Sequence, residues 1–311
     1  MKSALIKGCL HLVATFIRLL PKASVPWFAF LFSVLAPRLL KRDRTLIAEN
    51  IDRVYHLPAQ SSFSTMFQRQ VFRSQALVAL ETFKHQLASR DLITLVGLDE
   101  LRAEIERVTA SGKGMIVVTA HHGSWELVAS TVALASGKTF VALAKPSKLP
   151  EFTQVLDRLR RSGNTEILWT DSKNLLRDMM KTLKQGGNLG FVMDQKPEGR
   201  IGPVVEFLGQ ATEFVSGPAK LAARHQSAVV AIFCMRTGPW EYRIVFETVA
   251  EAAHAISDEL VLTQKMATAI TKAIQLYPEQ WVWNYKRWRK KKLKTEIPMA
   301  KAAELNWKVP F

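Results

Sequence analysis

The residue types that could do chemistry gather in one stretch, His121-His122-Gly123-Ser124-Trp125-Glu126. A β-branched apolar run, residues 115–120, precedes it and reads as a buried strand. A helical pattern follows, from Trp125 through Leu127, Val128 and Ala129. An imidazole at a strand end with a carboxylate five residues on is a general-base arrangement. A tight turn at Gly123 can fold the ring back onto Glu126. The carboxylate then fixes the tautomer and supports the imidazolium, while the other nitrogen takes a substrate proton. His-x4-Glu by itself is a frequent coincidence. Its place between strand and helix adds to it, because sites gather at the carboxyl ends of strands in α/β sheets.

The elements that must position this stretch are legible as alternating patterns. Residues 92–97, 139–144, 165–169 and 189–193 read as strands, and 99–110, 150–162 and 173–184 as helices. The alternation predicts an α/β fold, a layered mixed sheet flanked by helices. Three strands end in polar residues: His121, Lys145 and Asp194, the last followed by Gln195. If those strands are neighbours, the three side chains converge at one sheet edge. Asp194 reads equally well as an ordinary strand-end cap. Residues 196–212 read as a long Gly/Pro-containing loop, a length that is often functional. A helix over 216–224, strands over 229–235 and 242–249, and a helix over 260–277 complete the pattern. Helices over 44–56 and 66–90 come earlier, the first with Ile47, Ile51 and Val54 on one face.

The 311 residues suit one large domain or one domain with an appended segment, and 48% hydrophobic content is ample for a core. A net charge of +16 points to an anionic partner: nucleic acid, an acidic membrane surface, or an acidic protein or substrate. Cys9 and Cys234 lie far apart without metal spacing, which argues against a disulfide framework or zinc ribbon. Residues 4–20 and 24–36 are apolar, but Lys7, His11 and Arg18 interrupt the first. Neither is an uncharged span of about 20 residues. Their basic flanks, Lys2, Lys22, Arg38, Lys41, Arg42 and Arg44, suit an anchor lying on the cytoplasmic face of a membrane. The competing reading is a pair of core helices. The expected division is a membrane-anchoring segment over 1–43 and a catalytic domain over 44–311.

Four stretches, in order, carry a family resemblance. HHGSWE (121–126) is similar to H-F-G-N-W-E, and GGNLGFVMDQ (186–195) to a G-G-x6-D-Q pattern. FLGQATEFVSGPAKL (207–221) is similar to F-F-G-x-x-A-x-T-x-x-G-P-A-x-L, and PEQWVWNYKRWR (278–289) to P-E-Q-W-x-W-x-H-x-R-W-K. The chain thereby resembles the late acyltransferases of lipid A biosynthesis, the lauroyl and myristoyl transferases, within the glycerolipid (lysophospholipid) acyltransferase superfamily. It departs from them at His122 (usually Phe), Lys145 (commonly Arg in a Y-R-P turn) and Tyr285 (usually His). The resemblance implies a glycerolipid-acyltransferase-like fold and a membrane enzyme on the cytoplasmic face of the inner membrane. It implies His121 as general base supported by Glu126, with Lys145, Asp194 and Gln195 binding substrate. The donor is an acyl thioester, on acyl carrier protein or coenzyme A, and the acceptor an anionic glycolipid such as a lipid A precursor. No metal, no other cofactor and no nucleic-acid partner are expected.

Other readings compete. One is an acyltransferase of the same superfamily acting on another phospholipid or glycolipid. The basic, aromatic run after Pro278 could stack and neutralise nucleic acid. His121, His122 and Glu126 could ligate a metal, though a third-ligand spacing is missing. A non-catalytic, membrane-bound basic binding protein would keep the anchor and have no need of His121.

Overall fold

Four helices open the chain: α1 (Lys2–Leu19), α2 (Val25–Leu39), α3 (Lys41–Tyr55) and α4 (Ser62–Leu87). This is a computed structural model, and it describes residues 2–58, 61–88, 91–197, 202–251 and 258–288. α3 buries Ile47, Ile51 and Val54, the face its spacing indicates. α4 starts at Ser61, whose side chain accepts the amide of Ser64 and so satisfies one unpaired first-turn donor.

The α/β alternation follows: β1 (Thr94–Val96), α5 (Leu98–Thr109), β2 (Met115–Thr119), α6 (Trp125–Ser136) and β3 (Phe140–Ala144). Then come α7 (Pro150–Ser162), β4 (Thr165–Trp169), α8 (Leu175–Lys184) and β5 (Asn188–Val192). The last third holds β6 (Val204–Phe207), β7 (Gln210–Glu213), α9 (Gly217–His225), β8 (Ala228–Gly238), β9 (Glu241–Ala250) and α10 (Glu259–Leu276). Seven strands form one sheet in the order β1-β9-β8-β2-β5-β3-β4. Every neighbouring pair is parallel except β8 with β9. This is the mixed, helix-flanked sheet expected from the alternation.

β2 shows why its sequence lacks an in/out pattern. Ile116 and Val118 belong to one core and Met115 and Val117 to the other, so both faces are covered. The first core includes residues of α3, α4, α8, α9 and α10, and the second residues of α5 and α6.

The expected loop over 196–212 is instead partly a hairpin. β6 and β7 pair antiparallel, and the two residues between them, Leu208 (φ 52°) and Gly209 (φ 71°), both sit in the left-handed region. That is the backbone a tight hairpin requires. Leucine adopts it at a steric cost of about 1–2 kcal/mol. Burial of its side chain in the core and a hydrogen bond from its amide to Thr271 Oγ1 (3.2 Å) offset that cost.

At the N-terminus, no single described helix is long and apolar enough to cross a membrane. Residues Ile6–Leu19 and Lys22–Leu39 form an apolar pair bent by 103°. One side of this pair is packed: Leu20, Val25 and Ala29 cluster with Leu77 of α4. The other side leaves Leu12, Phe16, Leu19, Trp27, Phe30 and Leu39 exposed. The expected boundary after residue 43 falls within the first turn of α3. The aromatic run after Pro278 goes inward: Trp281, Trp283, Arg287 and Trp288 are all buried. The basic residues 289–294 lie outside the described residues.

Candidate active site

β2, β5 and β3 are adjacent, so the three polar strand ends do converge. The register makes one meeting specific. Thr119 pairs with Val192, an offset of 73, and continuing it sets His121 beside Asp194. Asp194 Oδ1 lies 2.8 Å from His121 Nδ1. The other oxygen of Asp194 accepts a hydrogen bond from Trp281 Nε1 at 2.8 Å. The carboxylate is buried, while the imidazole keeps 24% of its side-chain surface exposed. With Nδ1 donating to Asp194, Nε2 is left as the proton acceptor. Gln195 Nε2 stands 3.5 Å from that nitrogen.

This corrects the expected role of Glu126. Its oxygens are both taken by Arg160, at 2.6 and 2.9 Å, in a bidentate pair joining α6 to α7. The ring-holding carboxylate is Asp194, which is therefore more than a strand cap and spends its two oxygens on His121 and Trp281 rather than on substrate. Glu126 instead fixes a guanidinium that faces the main cavity. Arg160 stood in the sequence only as one of several arginines of a helix. An arginine one helix away gives no spacing signal toward Glu126.

Electrostatics follow from this arrangement. Burial disfavours the His121 imidazolium, but the charge and hydrogen bond of Asp194, with a smaller attraction from Glu126, outweigh it, and the ring's pKa is raised above its ordinary 6.5. Burial likewise opposes the Asp194 carboxylate, and His121 and Trp281 overcome it, holding its pKa below 3.8. His122 is fully buried, with Nε2 2.9 Å from the Ala273 carbonyl and its ring against Phe233. Burial pushes its pKa down to about 4, so it is a neutral core residue.

The turn bearing His121 is held from three sides. The Val282 amide donates to His121 O at 3.0 Å, and the Gly123 amide to Gln280 O at 3.2 Å. The Ser124 amide donates to Cys234 O of β8, and its hydroxyl meets Thr82 of α4 at 2.7 Å. Gly123 has φ 56°, and a Cβ there would lie 2.3 Å from Cys234 O, so only glycine fits. Gln280 is itself clamped: its side chain accepts from the Arg236 amide and donates to the Arg236 carbonyl. The Arg236 guanidinium makes a bidentate pair, at 2.8 Å to each oxygen, with buried Glu81. Asn50 of α3 ties down the same segment, donating to the carbonyls of Trp283 (2.6 Å) and Tyr285 (2.8 Å). The Tyr285 hydroxyl accepts from the Lys196 amide, just past Gln195. The 278–288 segment thus braces the site from behind.

A cavity of about 990 Å³ opens in front of His121. Trp125, which stacks edge-on against the His121 ring at 5.1 Å, forms part of its wall. Leu156, Trp169, Leu175, Met179, Phe191 and Leu221 make an apolar lining, and Lys145, Arg160, Lys220 and Arg224 supply positive charge. Such a volume with a mostly apolar wall accommodates a ligand with a long apolar part and an anionic part. Among the described residues, no group of three His, Cys, Asp or Glu side chains could hold a metal ion.

The chain is similar in sequence to known acyltransferases. A phosphatidylinositol mannoside acyltransferase of Mycobacterium tuberculosis is 25% identical over 226 residues, 71% of this chain and 66% of the relative. The Mycolicibacterium smegmatis enzyme of the same name is 23% identical, over 63% of this chain and 62% of the relative. The chain thus spans just under two thirds of the length of these relatives. A lipid A biosynthesis palmitoleoyltransferase of Escherichia coli is 24% identical over 261 residues, 82% of this chain and 81% of that protein. The model of one family, bacterial lipid A biosynthesis acyltransferase, matches residues 3–290, nearly the whole chain, and the protein belongs to that family.

Proposed function

We propose that the protein transfers a fatty acyl chain from an acyl thioester to a hydroxyl of a membrane glycolipid, most directly a lipid A precursor. The observation that carries this reading is the His121–Asp194 pair beside a large cavity whose lining is mostly apolar and includes four cationic side chains. His121 Nε2 removes the proton of the acceptor hydroxyl, and the oxygen attacks the thioester carbonyl. Asp194 stabilises the imidazolium that forms. Collapse of the tetrahedral adduct breaks the C–S bond, and the leaving thiolate takes the proton back from Nε2. Neither a protein nucleophile nor an acyl-enzyme is required: among the described residues, no serine or cysteine hydrogen-bonds the imidazole.

Glu126 acts through Arg160. Two guanidinium nitrogens are committed to the carboxylate, which leaves Nη1 for an anionic group of the ligand. Lys145, just past the end of β3, and Gln195 add to the polar lining. The donor is acyl carrier protein, whose acidic surface suits a chain of net charge +16. The enzyme works on the cytoplasmic face of the inner membrane, attached through the bent apolar pair α1–α2.

Two relatives named for a phosphatidylinositol mannoside support a second reading, in which the acceptor is a glycosylated phospholipid. Mass spectrometry of lipid extracts from cells with and without the gene tests the choice. A lipid A species lacking one acyl chain in the deletion supports the first reading. An under-acylated glycophospholipid supports the second, and an unchanged lipid profile contradicts both.

A further inference from the structure

A second groove, of about 700 Å³, opens between α2, α3 and α4 and shares no lining residue with the cavity in front of His121. Arg38 of α2, Arg44 of α3 and Arg69 of α4 line it, against one carboxylate, Glu49. All three arginines are exposed. None of them forms an ion pair with a carboxylate among the described residues, and Arg38 spends one nitrogen on the Val34 carbonyl of its own helix (2.7 Å). Three helices therefore bring mutually repelling guanidinium groups to one concavity. That arrangement fits a phosphate, which accepts several guanidinium hydrogen bonds at once.

The surroundings narrow the source of the phosphate. Positions 27, 31, 34 and 38 share one stripe of α2, so Arg38 closes a stripe that begins with exposed Trp27 and Leu31. At 1.5 Å rise per residue, Trp27 and Arg38 stand roughly 16 Å apart along the axis. On α4, exposed Met66 sits three residues before Arg69 on the same side. A soluble anion would leave these exposed apolar side chains without a role; a bilayer boundary uses both. We propose that this groove binds the phosphate of an anionic bilayer phospholipid while the exposed face of α1 and α2 rests in the acyl boundary. The site is separate from the one proposed for the acceptor, and its occupant is not acylated.

The test is flotation of the purified full chain with vesicles of phosphatidylcholine alone or of equal parts phosphatidylcholine and phosphatidylglycerol. The triple variant Arg38→Gln/Arg44→Gln/Arg69→Gln is compared with Lys181→Gln/Lys184→Gln/Lys265→Gln, which removes the same charge from exposed positions of α8 and α10. A basic residue at an anionic surface is worth about fivefold in binding, so the groove variant should lose roughly a hundredfold for phosphatidylglycerol vesicles and the control far less. The single variant Arg69→Gln should lose about fivefold, which keeps the test open should the triple variant misfold. Equal losses in the two triple variants would overturn the site in favour of diffuse charge attraction. So would equal binding to the two vesicle types. Inorganic phosphate binding the wild type as tightly as vesicles do, and lost in the triple variant, would mean a soluble-anion site. No readout depends on acyl transfer, so its result stands apart from that of the function proposed above.

Discussion

Replacing Asp194 by asparagine is the most informative single perturbation of the site. The change keeps shape but removes the charge 2.8 Å from His121 Nδ1. Trp281 Nε1 needs an acceptor, so the amide oxygen turns to it and the amide NH2 faces the imidazole. Nδ1 must then accept, the proton moves to Nε2, and the base is lost in the resting tautomer. The charge term can be sized separately. With charge centres about 4 Å apart and an effective dielectric near 20, the lost attraction to the imidazolium is about 4 kcal/mol. That corresponds to roughly three orders of magnitude in rate. Asp194→Asn should therefore lose about 1,000-fold in kcat with little change in KM, and any residual activity should show its acidic limb at lower pH, because the imidazolium has lost its stabilising charge. Stability carries the same signature. His121 contributes below its unfolded value of 6.5 and loses that contribution as pH rises through its raised folded value. Asp194 contributes above 3.8 and loses that contribution as pH falls through its lowered folded value. The deficit of Asp194→Asn in urea unfolding should thus be largest between pH 3.8 and 6.5 and shrink towards alkaline pH. Glu126→Gln is the contrast: it loosens Arg160, so its effect should fall mainly on KM, and the acidic limb should move less than in Asp194→Asn, because Glu126 adds only the smaller attraction to the imidazolium. Near wild-type kcat in Asp194→Asn, with the larger loss of kcat and the larger displacement of the acidic limb in Glu126→Gln, would refute the reasoning and return the supporting role to Glu126.

His122→Phe should keep most activity, since the ring is buried against Phe233 and the Ala273 carbonyl. It should also remove an acid sensitivity: a buried imidazole held to about 4 makes the wild type lose stability as pH falls from 6.5, by roughly 3 kcal/mol at 1.36 kcal/mol per pH unit. Urea titrations at pH 7 and pH 4.5 read the difference, and an unchanged pH slope would contradict the neutral-core assignment. Asn50→Ala strands two carbonyls in the segment behind the site and should cost about 1–3 kcal/mol, measured as a lower urea midpoint, with activity falling as the brace loosens. Lys145→Ala should raise KM for a phosphorylated acceptor while Lys145→Arg preserves it; wild-type kinetics in the alanine variant would remove Lys145 from the site.

The convergence of His121, Lys145 and Asp194 was legible because each ends an apolar strand and the sheet orders those strands as neighbours. Which carboxylate holds the imidazole was not. His121 and Glu126 are close in sequence, but the turn through Gly123 and Ser124 starts α6 in a direction that carries Glu126 to Arg160. His121 and Asp194 are 73 positions apart, and only strand register joins them. A signal existed: Gly114 and Gly187 precede the two strands at the same offset, and matching them sets His121 opposite Asp194. The β6–β7 hairpin was hidden because its turn is Leu208-Gly209 rather than the Asn-Gly or Asp-Gly that announces such turns. The run after Pro278 read as a densely cationic, aromatic segment because charge is local in sequence. Arg287 is nonetheless buried, donating to Thr212 Oγ1 and Glu213 O with its guanidinium over Phe214, contacts that no periodicity encodes.

The central claim is that His121, charged through Asp194, moves an acyl chain from a thioester to a glycolipid hydroxyl. The direct measurement incubates purified protein with acyl carrier protein loaded with a fatty acid and a lipid A precursor, and reads the product mass for wild type and His121→Ala. The account expects a product heavier by one acyl group with the wild type, free carrier thiol in equal amount, and neither with His121→Ala. Transfer by His121→Ala at the wild-type rate, or no transfer by wild-type protein to any phosphorylated glycolipid supplied, would contradict it.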